Sequence, residues 1–474
     1  MSIAYLNNDM IFDFLIYCLG KKENMSRAIA GMNWQQLYSF ASKQALLGLC
    51  FEGIERLGEE YPEELKRNPI GRELLMTWMG KAQQIRRQNM KVNAVASKLF
   101  SMLREDGMRC CILKGQGNAL MYPNPYSRTP GDIDVWIDAS RERIMEYAQK
   151  KFELGDDIRL QHLETSLDGV PVELHFFPCS MNNPIYHARL QKWFRRNADL
   201  QCSNVVSLPD GAGDIAIPTT AFNVVYQLTH LYHHFFDEGI GMRQIIDYYY
   251  VVCDFYKVDQ KSSNPSVSLS KGSSTFSPSP SSSGSGDVTA PSRCSEPLRS
   301  KDGGASKVSP DCAEWDRRGM SGASKVSPDC AGWDRRDAIG DIASDASVSS
   351  AFTTDSSAST ALDVVQRELK YLGLWKFAGA VMFVLHEVLG LAEDKMIVPV
   401  DEKRGRLLLA EILDGGNFGR HFSKYGGFTN QSMGKKYFLK IWRNMHFVRY
   451  YPAEALCEPL FRTWHFFWRL KYKK

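Results

Sequence analysis

The 474-residue chain has no CxxC pair, and its eleven cysteines are scattered without the spacing of a zinc ribbon or finger. That excludes a cysteine-held structural zinc and leaves reduced, mostly buried thiols of a cytosolic protein as the expectation. No segment reaches the roughly 18 consecutive apolar residues of a spanning helix. The short apolar run at 11–19 has no basic stretch before it and is interrupted by Asp13, so it reads as a helix of the fold and not as a signal peptide. Strong charge is missing as well. A formal charge of +4 is small for this length and gives no case for nucleic acid as a partner. What the chain does have is a globular apolar fraction, 44%, enough for a sizeable core and two or three domains.

Residues 1–106 carry helical periodicity. Within them, 33–57 has apolar positions at helical spacing. A long polar helix over about 72–105 follows, with Ile85, Met90, Val92, Val95 and Leu99 as its expected buried side. Asp106-Gly107 ends it, and MRCCILKG starts a first strand. The turn-rich stretch MYPNPYSRTPGD leads to a second strand, IDVWID, and then to a helix over about 140–152 with Ser140 as N-cap. Two further strands, about 158–167 and 170–177, flank Asp168-Gly169, a strong hairpin signal. In the second of these, Val172, Leu174 and Phe176 face one side and Glu173, His175 and Phe177 the other.

The predicted fold is α+β: a small mixed sheet at 107–218, an N-terminal helical region at 1–106, and helical regions at 219–257 and 361–474. Between the last two, 258–360 is a serine-rich insertion. Over 261–360, 28 of 100 residues are serine, too few are large and apolar to offset chain entropy, and disorder is expected. It contains one direct repeat, GASKVSPDCAEWDRR (304–318) and GASKVSPDCAGWDRR (322–336), too short for a solenoid.

The segment 111–138, CILKGQGNALMYPNPYSRTPGDIDVWID, carries the chemistry. Asp132 and Asp134 lie at i and i+2, on one face of a strand and about 7 Å apart. Such a pair can share divalent cations, and magnesium commonly bridges carboxylates to substrate phosphates. The competing reading is structural: Asp132 caps a turn and Asp134 pairs with Arg128. Lys114 is either a phosphate contact or a solvated strand end. His230, His233, His234 and Asp237 suggest zinc, since His230 and His234 are four residues apart, but no glutamate follows His230 as in HExxH. A packed helix with satisfied histidines is favoured there. Arg243 and Asp247, also four apart, can pair on their helix. The tail FRTWHFFWRLKYKK reads as an amphipathic helix docked on the bundle, with a membrane surface or stacked bases as the alternatives.

Leu-Lys-Gly, then Tyr-Pro-x-Pro-x-x-Arg, Gly-Asp-Ile-Asp and a Val-Glu-Leu-His strand together resemble the uncharacterised bacterial nucleotidyltransferase family, within the polymerase-beta-like nucleotidyltransferase superfamily. The resemblance covers roughly 80–260. It implies that Asp132, Asp134 and Glu173 hold two Mg2+ ions, with Glu173 also suited to general-base work. It further implies an NTP donor, nucleotide contacts at Lys114, Gly115 and Arg128, a hydroxyl acceptor, and an acceptor pocket near His175, Arg243 and Asp247. The chain departs from the superfamily in one place. The turn reads Gly115-Gln116 where a Gly-Ser pair usually holds the terminal phosphates, and a helix starting near Asn118 is expected to supply N–H groups instead. That departure motivates the alternative of a catalytically inactive nucleotide-binding or scaffold protein.

Overall fold

The structure is a computed structural model and describes residues 3–22, 24–154, 159–263, 360–422 and 433–472. The expected disordered insertion, with its repeat, lies outside the described residues from 264 to 359. Four strands form the sheet that carries the candidate site: β1 (Cys110–Leu113), β2 (Ile133–Ile137), β3 (His162–Leu167) and β4 (Val170–His175), in the order β1-β2-β4-β3. β1 runs antiparallel to β2, β2 parallel to β4, and β4 antiparallel to β3, so the sheet is mixed as expected. β5 (Val205–Ser207) and β6 (Asp214–Ala216) form a separate ribbon.

The β3–β4 hairpin is closed by Asp168 (φ +50°) and Gly169 (φ +70°). Both left-handed residues are what a two-residue type I′ loop requires. This turn fixes the register: His162 lies opposite His175, and Glu164 opposite Glu173.

Strand alternation splits the sheet into two faces. Ile112, Ile133, Val135, Ile137, Leu163, Val172 and Leu174 are buried in one apolar core. They pack against Val92, Val95, Leu99 and Leu103 of the long helix Arg72–Glu105 and against Ile144 and Ala148 of the helix Arg141–Lys151. Full burial of each such side chain contributes about 1.5–3 kcal/mol. Ser140 caps the second helix, its Oγ accepting from the Arg143 backbone N–H at 3.3 Å.

One expected core residue is misplaced by the periodicity. Met90 is 47% exposed, and Ile85 is only half-buried. The inward line of the long helix passes through Asn89 and Asn93, both buried. Asn89 Nδ2 donates to the carbonyls of Tyr126 (3.1 Å) and Arg128 (2.8 Å), tying the proline-rich turn to the helix. Polar residues hold inward positions here because the turn offers backbone acceptors that need donors.

The helices before and after 264–359 belong to one compact unit, residues 1–267 with 358–474. Phe14 and Leu37 from the N-terminal helices, Tyr226 and Tyr248 from the middle, and Phe377 and Leu385 from the later part share one core. The described cysteines are free, and all but Cys457 are buried. Among the described residues no helix is long and apolar enough to cross a membrane. The C-terminal helix Glu458–Tyr472 docks through Arg462, whose Nη2 reaches Asp237 at 3.0 Å, while Trp464 and Phe467 on other positions stay exposed.

Candidate active site on the polar face of the sheet

The second face of the same strands carries ionisable groups. Parallel pairing of β2 with β4 sets Asp134 beside Glu173 and Trp136 beside His175. Asp132 lies two residues before Asp134, just outside β2. His175 Nε2 links the strands, lying 3.0 Å from Asp134 Oδ1 and 3.2 Å from Glu173 Oε2.

β1 delivers Lys114 to the same place. Lys114 and Gly115 both take positive φ (+51° and +36°), which turns the chain sharply off the end of the strand. For a lysine this backbone costs about 1–3 kcal/mol and needs compensation. The compensation is visible: Lys114 Nζ lies 3.0 Å from Asp134 Oδ1 and 2.6 Å from His230 Nε2.

His230 is placed by an i, i+4 stripe on the helix Thr220–Asp237. Phe222 stacks on Trp136 of β2 and on Trp193, and Tyr226 packs edge-on to Phe194. One turn further, His230 reaches Lys114, and His234 Nε2 lies 3.1 Å from His230 Nε2. Burial and the Lys114 charge hold His230 well below the usual histidine range, so it receives the Lys114 proton donor as a neutral ring. A cation at His230 would have to displace the ammonium, which argues against the zinc reading of this cluster.

Asp132, Asp134, Lys114, Gly115, Arg128, Arg243 and Asp247 all line one narrow cleft, with Asn118, Gln227, His230 and Phe418. Glu173 and His175 are not in its wall; they meet it through Asp134. The charges are uneven. Burial opposes ionisation of Asp134, but Lys114 and His175 outweigh it and hold its carboxyl well below the usual range. Glu173 is likewise lowered, its burial outweighed by the His175 hydrogen bond. Asp132 is open to solvent at the cleft mouth yet hemmed in by protein. Lost hydration, then the charges of Asp134 and Glu173, push its carboxyl up to about 7. Asp132 is therefore the carboxyl of the three that holds a proton most readily.

The cationic side differs from the expectation. Arg128 is buried and committed: its Nε and Nη2 each donate to Asp247 at 2.8 Å, and Tyr122 Oη donates to the same carboxylate at 2.8 Å. Neither the Asp134–Arg128 pair nor an Arg243–Asp247 helix pair forms. Arg243 Nη1 instead donates to the Thr129 carbonyl at 3.0 Å, while its Nε has no hydrogen-bond partner. The turn helix spans Gly115–Ala119, three residues earlier than expected from Asn118. Gln116, in the place of the usual serine, is buried and donates to Asn93, away from the cleft. Asn118 exchanges amide hydrogen bonds with Gln227.

Sequence reading missed His162. It faces His175 across the hairpin, with Nδ1 3.3 Å from Glu173 Oε2. The signal was present: a two-residue turn at Asp168-Gly169 dictates that pairing.

The cleft thus lies at the edge of a small mixed sheet that bears paired carboxylates, with cations gathered beside them. Residues 30–262 match the sequence model of a family described as uncharacterised nucleotidyltransferase, so this segment carries that family's pattern. No curated protein and no solved structure matches the chain.

Proposed function

We propose that the protein transfers a nucleoside monophosphate from an NTP to a hydroxyl acceptor with release of pyrophosphate, using Mg2+ held by Asp132, Asp134 and Glu173. The observation that carries this reading is the β2–β4 register. It sets Asp134 beside Glu173, with Asp132 two residues away at the mouth of a cleft that also presents Lys114 and Arg243. The donor set fits the ion. Three carboxylates are hard oxygen ligands, and Asp132 holds its proton because lost hydration, then the charges of Asp134 and Glu173, disfavour its ionised form, which a bound cation would relieve. When bound, Mg2+ would neutralise the phosphates and stabilise the charge that develops on the leaving pyrophosphate.

The chain's own groups have separable roles in this reading. Lys114 and Arg243 are the cations facing the cleft and suit the triphosphate. Arg128 suits it less, because Asp247 already occupies its donors; the pair instead braces the cleft wall beneath Arg243. Glu173, held low by His175, suits ligation better than proton abstraction. In the reaction, the acceptor oxygen bonds to the α-phosphorus, the bond to pyrophosphate breaks, and the hydroxyl proton leaves to water at the open mouth.

Pyrophosphate release, measured with a panel of NTPs and sugar, small-molecule and protein acceptors, tests the proposal. Asp132→Asn should lower kcat by about 10³-fold or more, the several kcal/mol assigned to metal-assisted charge stabilisation. Its melting temperature should not fall, since lost hydration and the neighbouring carboxylates already disfavour the ionised Asp132 in the fold. Undiminished turnover in this variant would remove Asp132 from the site. The inward Gln116 favours a second reading, a nucleotide-binding protein without turnover, because the turn sends no hydroxyl to the cleft. Tight NTP binding by calorimetry with no pyrophosphate for any acceptor would select it.

A further inference from the structure

We propose that His162, Glu173 and His175 form a second divalent-cation site, one that takes a borderline ion of the zinc class in preference to Mg2+. The three residues each offer one ligand atom, and these atoms all lie within 4.8 Å of one another. His175 Nε2 is 3.2 Å and His162 Nδ1 3.3 Å from Glu173 Oε2. Donors around a tetrahedral zinc with bonds of about 2.0–2.1 Å are roughly 3.3 Å apart. The existing spacing therefore already suits that ion.

Two independent observations point to a ligand. First, His162 is 3% exposed, and neither of its ring nitrogens completes a hydrogen bond. Buried polar groups are almost always satisfied, so an orphaned imidazole facing another imidazole and a carboxylate calls for a partner between them. The two rings are 5.0 Å apart, held there by the hairpin register. Second, Glu164 Oε1 stands 3.8 Å from His162 Nε2, the nitrogen left over once Nδ1 binds an ion. A carboxylate behind a ligating histidine is the usual way to fix its tautomer and orientation.

The donor set decides the class of ion. Two imidazoles and one carboxylate favour zinc and its neighbours, whereas Mg2+ prefers oxygen alone. Three protein ligands leave a fourth position, the arrangement of catalytic zinc sites. His162 also lines a second cleft, of about 310 Å³, with His233, Asp237, Lys440 and Arg462. That cleft gives the ion an entry path separate from the Asp132 mouth. The proposal goes beyond nucleotidyl transfer and shares only Glu173 with the Mg2+ set proposed for it.

The test uses the full-length chain, stripped with chelator and then titrated with Zn2+ or Mg2+ alone, without nucleotide. Calorimetry and metal analysis after desalting should find one Zn2+ per chain, bound at least about 100-fold more tightly than Mg2+. Co2+ in its place should give the intense visible bands of a four-coordinate nitrogen-containing site. His162→Gln should weaken Zn2+ binding at least about 10-fold and abolish those bands, and Glu164→Gln should weaken it about 10–100-fold. Asp132→Asn should leave Zn2+ stoichiometry untouched while removing turnover, which separates this site from the transfer reaction. Zn2+ binding no tighter than Mg2+, or unchanged in His162→Gln, overturns the proposal. If that variant fails to fold, a pale octahedral Co2+ spectrum in the unaltered protein overturns it equally.

Discussion

The two faces of the four-stranded sheet are built on the same backbone and serve opposite ends. One face buries Ile133, Val135, Val172 and Leu174 against the long helix. The other, offset by a single residue, carries Asp134, Glu173, His175 and His162. Burying isolated ions costs several kcal/mol each, and ion pairing offsets that only when geometry is good. The polar face meets the cost with a chain of contacts, Lys114 to Asp134 to His175 to Glu173, and the apolar face supplies the stability that holds the chain in place. The comparison teaches that chemistry and stability separate by strand parity here. Substitutions on the apolar face should move melting temperature at every pH, and on the polar face, turnover and the pH dependence of stability.

The largest effect expected on the apolar face is Leu174→Ala. Leu174 is fully buried between Glu173 and His175 in β4. Its truncation should cost about 2–5 kcal/mol, as for other buried leucines. Denaturant unfolding measures this, and turnover per folded molecule should stay near that of the unaltered protein. A loss of turnover equal to that of Asp132→Asn with full stability would break the division between faces.

The polar face should show its effect through pH. Burial disfavours the charged His175 ring, but the hydrogen bonds it donates to Asp134 and Glu173 outweigh this and raise it to about 9 from 6.5. The folded state therefore holds a proton that the unfolded state releases. The stabilisation is complete below about pH 6.5 and is lost as pH rises to about 9, amounting to up to about 3 kcal/mol. Metal-free protein should melt progressively lower across that window, and His175→Gln should flatten the slope. A flat profile in the unaltered protein would mean that the Asp134–His175–Glu173 contacts do not hold the charge.

Much of this architecture was legible in the chain. VPVELHF announces its two faces by alternation, Asp168-Gly169 announces the hairpin, and Asp106-Gly107 marks the end of the long helix. The resemblance carried by Gly-Asp-Ile-Asp and Val-Glu-Leu-His pointed to the family. What local pattern could not supply were partnerships made through tertiary packing. Lys114 and His230 are 116 positions apart, and Arg128 and Asp247 are 119 apart. Choosing Asp247 over Asp134 as the partner of Arg128 depends on how helix Met242–Ser263 meets the proline-rich turn. His162 was within reach, since the turn dictates its register, but a lone strand histidine carries no signal until its opposite residue is named.

The finest test of parity and periodicity lies on the long helix, where Asn89 and Met90 are neighbours with opposite fates. Asn89 is buried and donates to two carbonyls of the turn that leads into β2. Asn89→Leu keeps the branched shape but removes the donor, leaving the Tyr126 and Arg128 carbonyls without it. It should cost about 1–3 kcal/mol, the penalty of unpaired buried polar groups. Met90, one residue on, points outward, and Met90→Lys should change stability by no more than about 0.5 kcal/mol. Paired melts of the two variants check this, and the reverse ranking would restore Met90 to the core that helical periodicity assigns it. Because Asn89 anchors the turn that delivers Asp132, its loss should also raise KM for the nucleotide, an effect that Met90→Lys should lack.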